Sequence, residues 1–186
     1  EVTKMKHQNN KVKSIILDNR NKVEGDIFIS NMEVIPAYKN LLNENNNKML
    51  KKYEKKFEPA CSGYVIHLGV DRKYDQLSHH NFFFSKDPRE HFKSVYEDKK
   101  MPKDPTIYLV APTRTDDSIA PEGHEIIKAL PHIPHLQDEP FTEEEYNTLR
   151  RRVLEKLERM GLKDLRNHRV TEDIWTPEDI KNNYLI

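Results

Sequence analysis

The stretch that most constrains the fold is residues 58–85, where two apolar runs flank one short polar segment. In residues 63–70 the apolar side chains alternate from Tyr64 onwards, which is typical of a β-strand. In residues 77–85 three consecutive phenylalanines closely follow two histidines. The pattern predicts two strands that pair as a hairpin. Because the second strand carries aromatic residues on both faces, it lies either between two layers of core or between the core and an apolar ligand.

Capping residues and periodicity predict the remaining elements. The clearest helix is residues 143–160, which Thr142 caps together with Glu145 and which ends at Gly161. Strands are also predicted over 1–6, 11–17, 23–30, 106–111, 125–130 and 169–174, and helices over 32–43, over 48–57, after 87 and after 176. Because the crossovers do not repeat as βαβ units, this order predicts an α+β fold, a mostly antiparallel sheet with flanking helices.

The composition of the chain limits the binding partners and the structural classes that are expected. Acidic and basic residues number 31 each, so charge alone implies neither nucleic acid nor an anionic membrane surface. The single cysteine, Cys61, excludes an internal disulfide and is compatible with a reducing compartment. No run approaches the roughly 18 apolar residues that a membrane-spanning helix needs. The five glycines form no G-x-G-x-x-G motif, so the sequence contains no dinucleotide-binding fingerprint.

The histidines are the first candidates for a metal site, because zinc needs three or four converging ligands. His79 and His80 are adjacent, and neighbouring side chains on a strand point to opposite faces. His132 and His135 follow a predicted strand and do not share one face of a helix. We therefore predict no metal site. No motif identifies a catalytic acid, base or nucleophile.

Seven blocks along the chain resemble one known family. The blocks are SNMEVIPAYKNLL (30–42), FEPACSGYVIHLGV (57–70), HHNFFFS (79–85), DPTIYLVAPTRTD (104–116), APEGHEIIKALPHIPHL (120–136), KLERMGLKDLRNH (156–168) and WTPEDI (175–180). Together they resemble the middle of the bacterial FAD-dependent carotenoid desaturases and oxidases, the phytoene desaturase-like family. Within it, the blocks are most similar to the oxygenases that act on diapocarotenoids, and less similar to the dehydrosqualene desaturases.

The resemblance implies a fragment of a two-domain flavoenzyme of the amine oxidase superfamily, whose glycine-rich FAD motifs lie outside this sequence. Residues 1–33 would be edge strands of the FAD-binding domain, residues 34–172 the substrate-binding domain, and residues 173–186 the start of the return to the FAD domain. Val2 matches a V-x-x-hydrophobic strand whose valine backbone, in the family, approaches the adenine of FAD. The fragment alone would be inactive.

The resemblance also implies an activity, the oxidation of a terminal methyl group of a long polyene. Because the flavin carries the difficult step, the protein mainly provides an elongated apolar tunnel. The residues predicted to face this tunnel are Tyr64, Ile66, Leu68, His80, Phe82, Phe84, Tyr108 and Val110. The alternatives are a desaturase of the phytoene or dehydrosqualene type and, from another class, a stand-alone module that binds an apolar ligand or a partner protein.

A polyene dissolves in lipid and not in water, so the resemblance implies an enzyme that is peripheral to the cytoplasmic membrane. The lysine-flanked segment 34–57 is the expected contact with the membrane surface.

Overall fold

The computed structural model describes residues 1–43 and 47–184. The chain divides into two compact units, the first over residues 1–59 and the second from Ala60 onwards. Two predictions fall partly outside the described residues. They are the lysine-flanked segment 34–57 and the final segment 173–186.

The first unit is a three-stranded antiparallel sheet with two helical segments. Its elements are β1 (Val2–Gln8), β2 (Lys11–Leu17), β3 (Lys22–Glu24), α1 (Val34–Pro36), which continues as a π-helical turn (Ala37–Leu41), and α2 (Lys48–Lys56). Asn9 and Asn10 have φ values of 50° and 60°, which suits the two-residue turn between β1 and β2. The strand predicted over 23–30 is wrong beyond Glu24, where Ile27 and Ile29 are exposed and pair with no strand of the described chain.

The second unit is built on a six-stranded sheet in which the neighbouring strands are antiparallel. Its strands are β4 (Ser62–Gly63), β5 (Val65–Val70), β6 (His80–Phe83), β7 (Ile107–Val110), β8 (Glu125–Ile133) and β9 (Arg169–Trp175). Its helices are α3 (Pro88–Phe92), which continues as a π-helical turn (Lys93–Glu97), α4 (Glu143–Arg159) and α5 (Pro177–Tyr184). The strand order is β6-β7-β8-β5-β9, with β4 beside β8. The predicted α+β class is confirmed.

The predicted hairpin between residues 63–70 and 77–85 is wrong. Strand β5 pairs with β8 on one side and β9 on the other, while β6 pairs with β7. Both edges of β5 are therefore occupied, and β7 and β8 lie between the two runs. In the connection between the two runs, the buried N–H of Tyr74 donates to a carboxylate oxygen of Glu125 at 2.9 Å.

Helix α4 covers one face of the second unit's sheet. Thr142 and Glu145 form the predicted capping box at its start. Leu149, Val153 and Leu157 follow at three- and four-residue spacing and are completely buried. Each such side chain contributes about 1.5–3 kcal/mol through burial, so this stripe fixes the helix on the sheet.

Candidate functional site

The register of the second unit's sheet separates two faces. Phe82 lies opposite Tyr108, and Tyr108 lies opposite Leu130, so the three side chains share one face. Along β8 the side chains alternate strictly between buried and half-buried. The buried set faces α4. We call the other side, which carries Phe82, Tyr108 and Leu130, the open face.

Four aromatic rings form a continuous strip on the open face. Phe82 stacks on Tyr108 with ring centroids 5.0 Å apart, and on Phe84 at 6.0 Å. The ring of Tyr108 also stacks on that of His80 at 5.9 Å. Phe82 and Phe84 are 56% and 64% exposed, which is unusual for large apolar side chains side by side on a sheet. We call these four residues the aromatic strip.

The eight residues predicted to face a tunnel are divided between the two faces. His80, Phe82, Phe84 and Tyr108 form the aromatic strip, and Val110 lies opposite His80 in the register. The other three, Tyr64, Ile66 and Leu68, are buried in the core against α4. Tyr64 stacks on Tyr146 of α4 at 5.4 Å, and burial raises the pKa of Tyr64 to about 12, so its hydroxyl stays neutral.

Lys156 of α4 holds the aromatic strip in place from beneath. Its ammonium group is almost completely buried and donates to the carbonyl oxygens of Phe84 and Pro105, both at 2.8 Å, and to Oδ1 of Asp104 at 2.7 Å. Burial alone would raise the pKa of Asp104, but the hydrogen bonds from Lys156 and from the Lys86 backbone outweigh it and lower that pKa. The three donors of one ammonium group thus join the end of β6 to the start of β7.

The polar groups within the strip are His80 and Tyr108. The Tyr108 hydroxyl and His80 Nδ1 are hydrogen-bonded at 2.8 Å. The neighbouring His79 bonds instead to Thr115 Oγ1, through Nδ1 at 2.6 Å. Within the described residues no group of three or more His, Cys, Asp or Glu side chains is placed to hold a metal ion.

The structure brings together a second histidine pair, His91 and His132, that the sequence pattern did not indicate. His91 of α3 lies 6.0 Å, ring to ring, from His132, which is two residues beyond Leu130 on β8. Both nitrogens of His91 and Nδ1 of His132 are buried without a hydrogen-bond partner among the described protein groups. Burial lowers the pKa of both rings, and for His91 the nearby His132 and Lys156 lower it further while Asp104 opposes them. Helix α3 therefore packs over one end of the open face through two neutral imidazoles.

The sequence pattern also did not indicate a contact on the open face between His67 and Trp175. The rings of His67 and Trp175 meet edge to face at 5.9 Å, and the indole N–H of Trp175 donates to Asp173 at 2.9 Å. Burial, and then Lys128, lower the pKa of His67. The open face thus runs across the whole sheet, from β6 to β9.

In the first unit, Val2 lies on β1, opposite Leu17. β1 is an edge strand of its sheet, so one row of its backbone groups has no partner within that sheet.

Across the described part of the chain, no helix has both the length and the apolar character needed to cross a bilayer.

The fold is related to that of a known oxidoreductase. A crystal structure of an oxidoreductase from Methanosarcina mazei matches 94% of this chain and 36% of its own, with a TM-score of 0.51 and 15% sequence identity. At that identity the match shows the fold alone. No protein-family model matches the chain.

Sequence comparison gives more specific relatives. The chain is 54% identical over 175 residues to a 4,4′-diaponeurosporene oxygenase from Staphylococcus haemolyticus, a match that covers 94% of this chain and 35% of that protein. It is 55% identical over 185 residues to a 4,4′-diapolycopene oxygenase from a Methylomonas species (99% and 37%), and 51% identical over 183 residues to a 4,4′-diaponeurosporene oxygenase from Staphylococcus aureus strain USA300 (98% and 37%). The chain spans little more than a third of the length of these curated relatives. The resemblance predicted from the sequence is confirmed, and the chain is homologous to a segment of these oxygenases.

Proposed function

We propose that the open face is one wall of a binding site for a long polyene, in a FAD-dependent oxidoreductase that oxidises terminal methyl groups of diapocarotenoids such as 4,4′-diaponeurosporene or 4,4′-diapolycopene. The observation that carries this proposal is the aromatic strip, which stands exposed on a sheet whose other face is a complete core. The activities for which the relatives are named support the substrate class.

The strip suits a flat conjugated chain for physical reasons. Adjacent rings lie 5.0 to 6.0 Å apart and within 22° of parallel, so they offer a row of stacking partners. Apolar binding sites are lined mainly by aromatic and aliphatic side chains. We keep His80, Phe82, Phe84, Tyr108 and Val110 as the proposed contacts. The other three predicted residues, Tyr64, Ile66 and Leu68, would support the wall from the core side.

The proposed cofactor is FAD, which supplies hydride acceptance when bound. From this chain the edge position of β1 fits an approach of backbone groups near Val2 to the adenine. The proposed division of the whole enzyme places residues 1–33 with the FAD domain, residues 34–172 in the substrate domain and residues 173–186 at the return. We expect the isolated chain to be colourless; a stoichiometric flavin absorption band would contradict this part of the proposal.

We further propose that the enzyme is peripheral to the cytoplasmic membrane and that residues 34–57 contact the lipid. Helix α2 carries lysines beside Tyr53 and is followed by an exposed Phe57. Lysines with apolar neighbours favour binding at an anionic lipid surface. The test is co-sedimentation of the full-length protein with vesicles containing phosphatidylglycerol. Replacing Lys52 and Lys55 with glutamate should weaken binding, whereas the same change at Lys11 and Lys13 should not.

Product analysis of the full-length protein separates the candidate activities. Supplied with 4,4′-diaponeurosporene, it should yield a product heavier by oxygen incorporation at the chain end, identified by mass. Supplied with a more saturated precursor, a desaturase would instead yield products lighter by pairs of hydrogen atoms. Binding without any product would favour the stand-alone module.

A further inference from the structure

The aromatic strip contains one polar pair whose hydrogen-bonding capacity is not used up. His80 and Tyr108 are diagonal neighbours across β6 and β7, joined through Nδ1 and the hydroxyl at 2.8 Å. If the hydroxyl donates, the neutral imidazole carries its proton on Nε2, which remains a free donor. If Nδ1 donates, the phenol proton is free. In either tautomer the pair keeps one donor, and within the described part of the chain no other protein group bonds to it.

The position of this donor is fixed by packing. The Tyr108 ring stacks on Phe82 at 5.0 Å and on His80 at 5.9 Å. Side chains held this closely lose little further freedom when they bind a ligand. A hydrocarbon seated over the pair would cover the donor without accepting its hydrogen bond, which costs binding free energy. An oxygen atom at the chain end would accept it.

We propose that the His80–Tyr108 pair recognises an oxygen atom at the end of the polyene, so that the site prefers a chain ending in an aldehyde or alcohol over the hydrocarbon of equal length. This inference rests on the proposed function, because it needs the polyene on the open face. It makes Tyr108 and His80 specificity-determining residues. Phe82 and Phe84 would contact both kinds of chain equally.

The test measures the Kd of the full-length protein for two polyenes of equal length, one with a terminal aldehyde and one without oxygen. Replacing His80 and Tyr108 together with phenylalanine removes every donor of the pair but keeps two flat rings, and we expect this double variant to weaken aldehyde binding about tenfold without weakening hydrocarbon binding. Either single substitution leaves one N–H or O–H donor and should weaken aldehyde binding less than the double variant does. Thr115→Val is the matched control, because it removes a hydroxyl bonded to the neighbouring His79.

Three results would overturn the inference. If the double variant weakens the two ligands equally, or weakens neither, the open face binds polyenes but the pair does not recognise oxygen. If Thr115→Val has the same effect as the double variant, the loss comes from strand packing. If the unaltered protein binds neither polyene, the proposed function fails together with the inference. Thermal unfolding of each variant establishes that the fold is retained.

Discussion

The ammonium nitrogen of Lys156 lies 2.8 Å from the carbonyl oxygen of Phe84, so a buried charge on α4 supports the residue at the end of the aromatic strip. The same nitrogen reaches Pro105 and Asp104, which precede β7. All three of its donors therefore have acceptors, and this satisfies the condition for burying a lysine. The geometry of the strip depends on this one side chain as well as on the strand pairing.

Replacing Lys156 with methionine should destabilise the second unit. The change keeps the apolar stem but leaves the carbonyl oxygens of Phe84 and Pro105 and the Asp104 carboxylate without the Lys156 donor. Because Asp104 is partly exposed and can be hydrated, we expect a loss of about 2–3 kcal/mol in the free energy of unfolding, below that of a fully buried ion pair. Urea denaturation measures it. Arg151→Met, which breaks an exposed pair with Glu155, is the control and should change little.

Substitutions at the three consecutive phenylalanines should affect polyene turnover and protein stability at different positions. Phe82 and Phe84 stand on the open face, so replacing both with alanine should lower the kcat/KM of the full-length enzyme for a polyene by about tenfold. Because both rings are exposed, the loss in unfolding free energy should stay near or below about 1 kcal/mol.

Phe83 provides the matched control. Its ring is buried in the core, so Phe83→Ala should cost about 3 kcal/mol of stability. In enzyme that remains folded, it should leave polyene binding nearly unchanged. Equal stability losses at all three positions would contradict the assignment of faces.

Stability should fall as the pH is lowered from 8 towards 5. The folded-state pKa values of His91, His132 and His67 are all lowered, mainly by burial, whereas in the unfolded chain they lie near 6.5. Below that value the unfolded state binds more protons than the folded state, so the free energy of unfolding decreases. The stabilisation that depends on these three histidines being neutral is fully present above about pH 7.5 and is lost as the pH falls through 6.5 and below.

Urea denaturation at a series of pH values measures this dependence. His91→Leu removes one of the buried imidazoles and should make the decline shallower between pH 7 and 5. His124→Leu is the control, because that histidine is only half-buried and bonds to the Glu122 carbonyl oxygen. If His91→Leu leaves the slope unchanged, protonation of the buried pair does not account for it.

The sequence predicted the elements of the second unit well because their signals are local. The capping box at Thr142 and the apolar spacing of α4 depend only on near neighbours. The two-residue period also placed Phe82 and Phe84 on one face and Phe83 on the other.

Strand pairing could not be predicted in the same way. The register that places Ile66 opposite Ala129, and so on the core face, involves residues more than sixty positions apart. A shift of one residue in such a register moves every side chain to the other face. The expectation that Ile66 and Phe82 face one tunnel assumed a hairpin that the sheet does not contain. The burial of Lys156 and of His91 likewise depends on contacts between segments distant in sequence.

The most direct test of the open face as a polyene-binding wall is site-specific photocrosslinking in the full-length enzyme. Benzoylphenylalanine placed at position 82 should form a covalent adduct with a bound diapocarotenoid on irradiation, detected by mass spectrometry of the peptide. The same residue at position 83 points into the core and should form none. Turnover of the polyene with no adduct at position 82, or with equal adducts at both positions, would contradict the account.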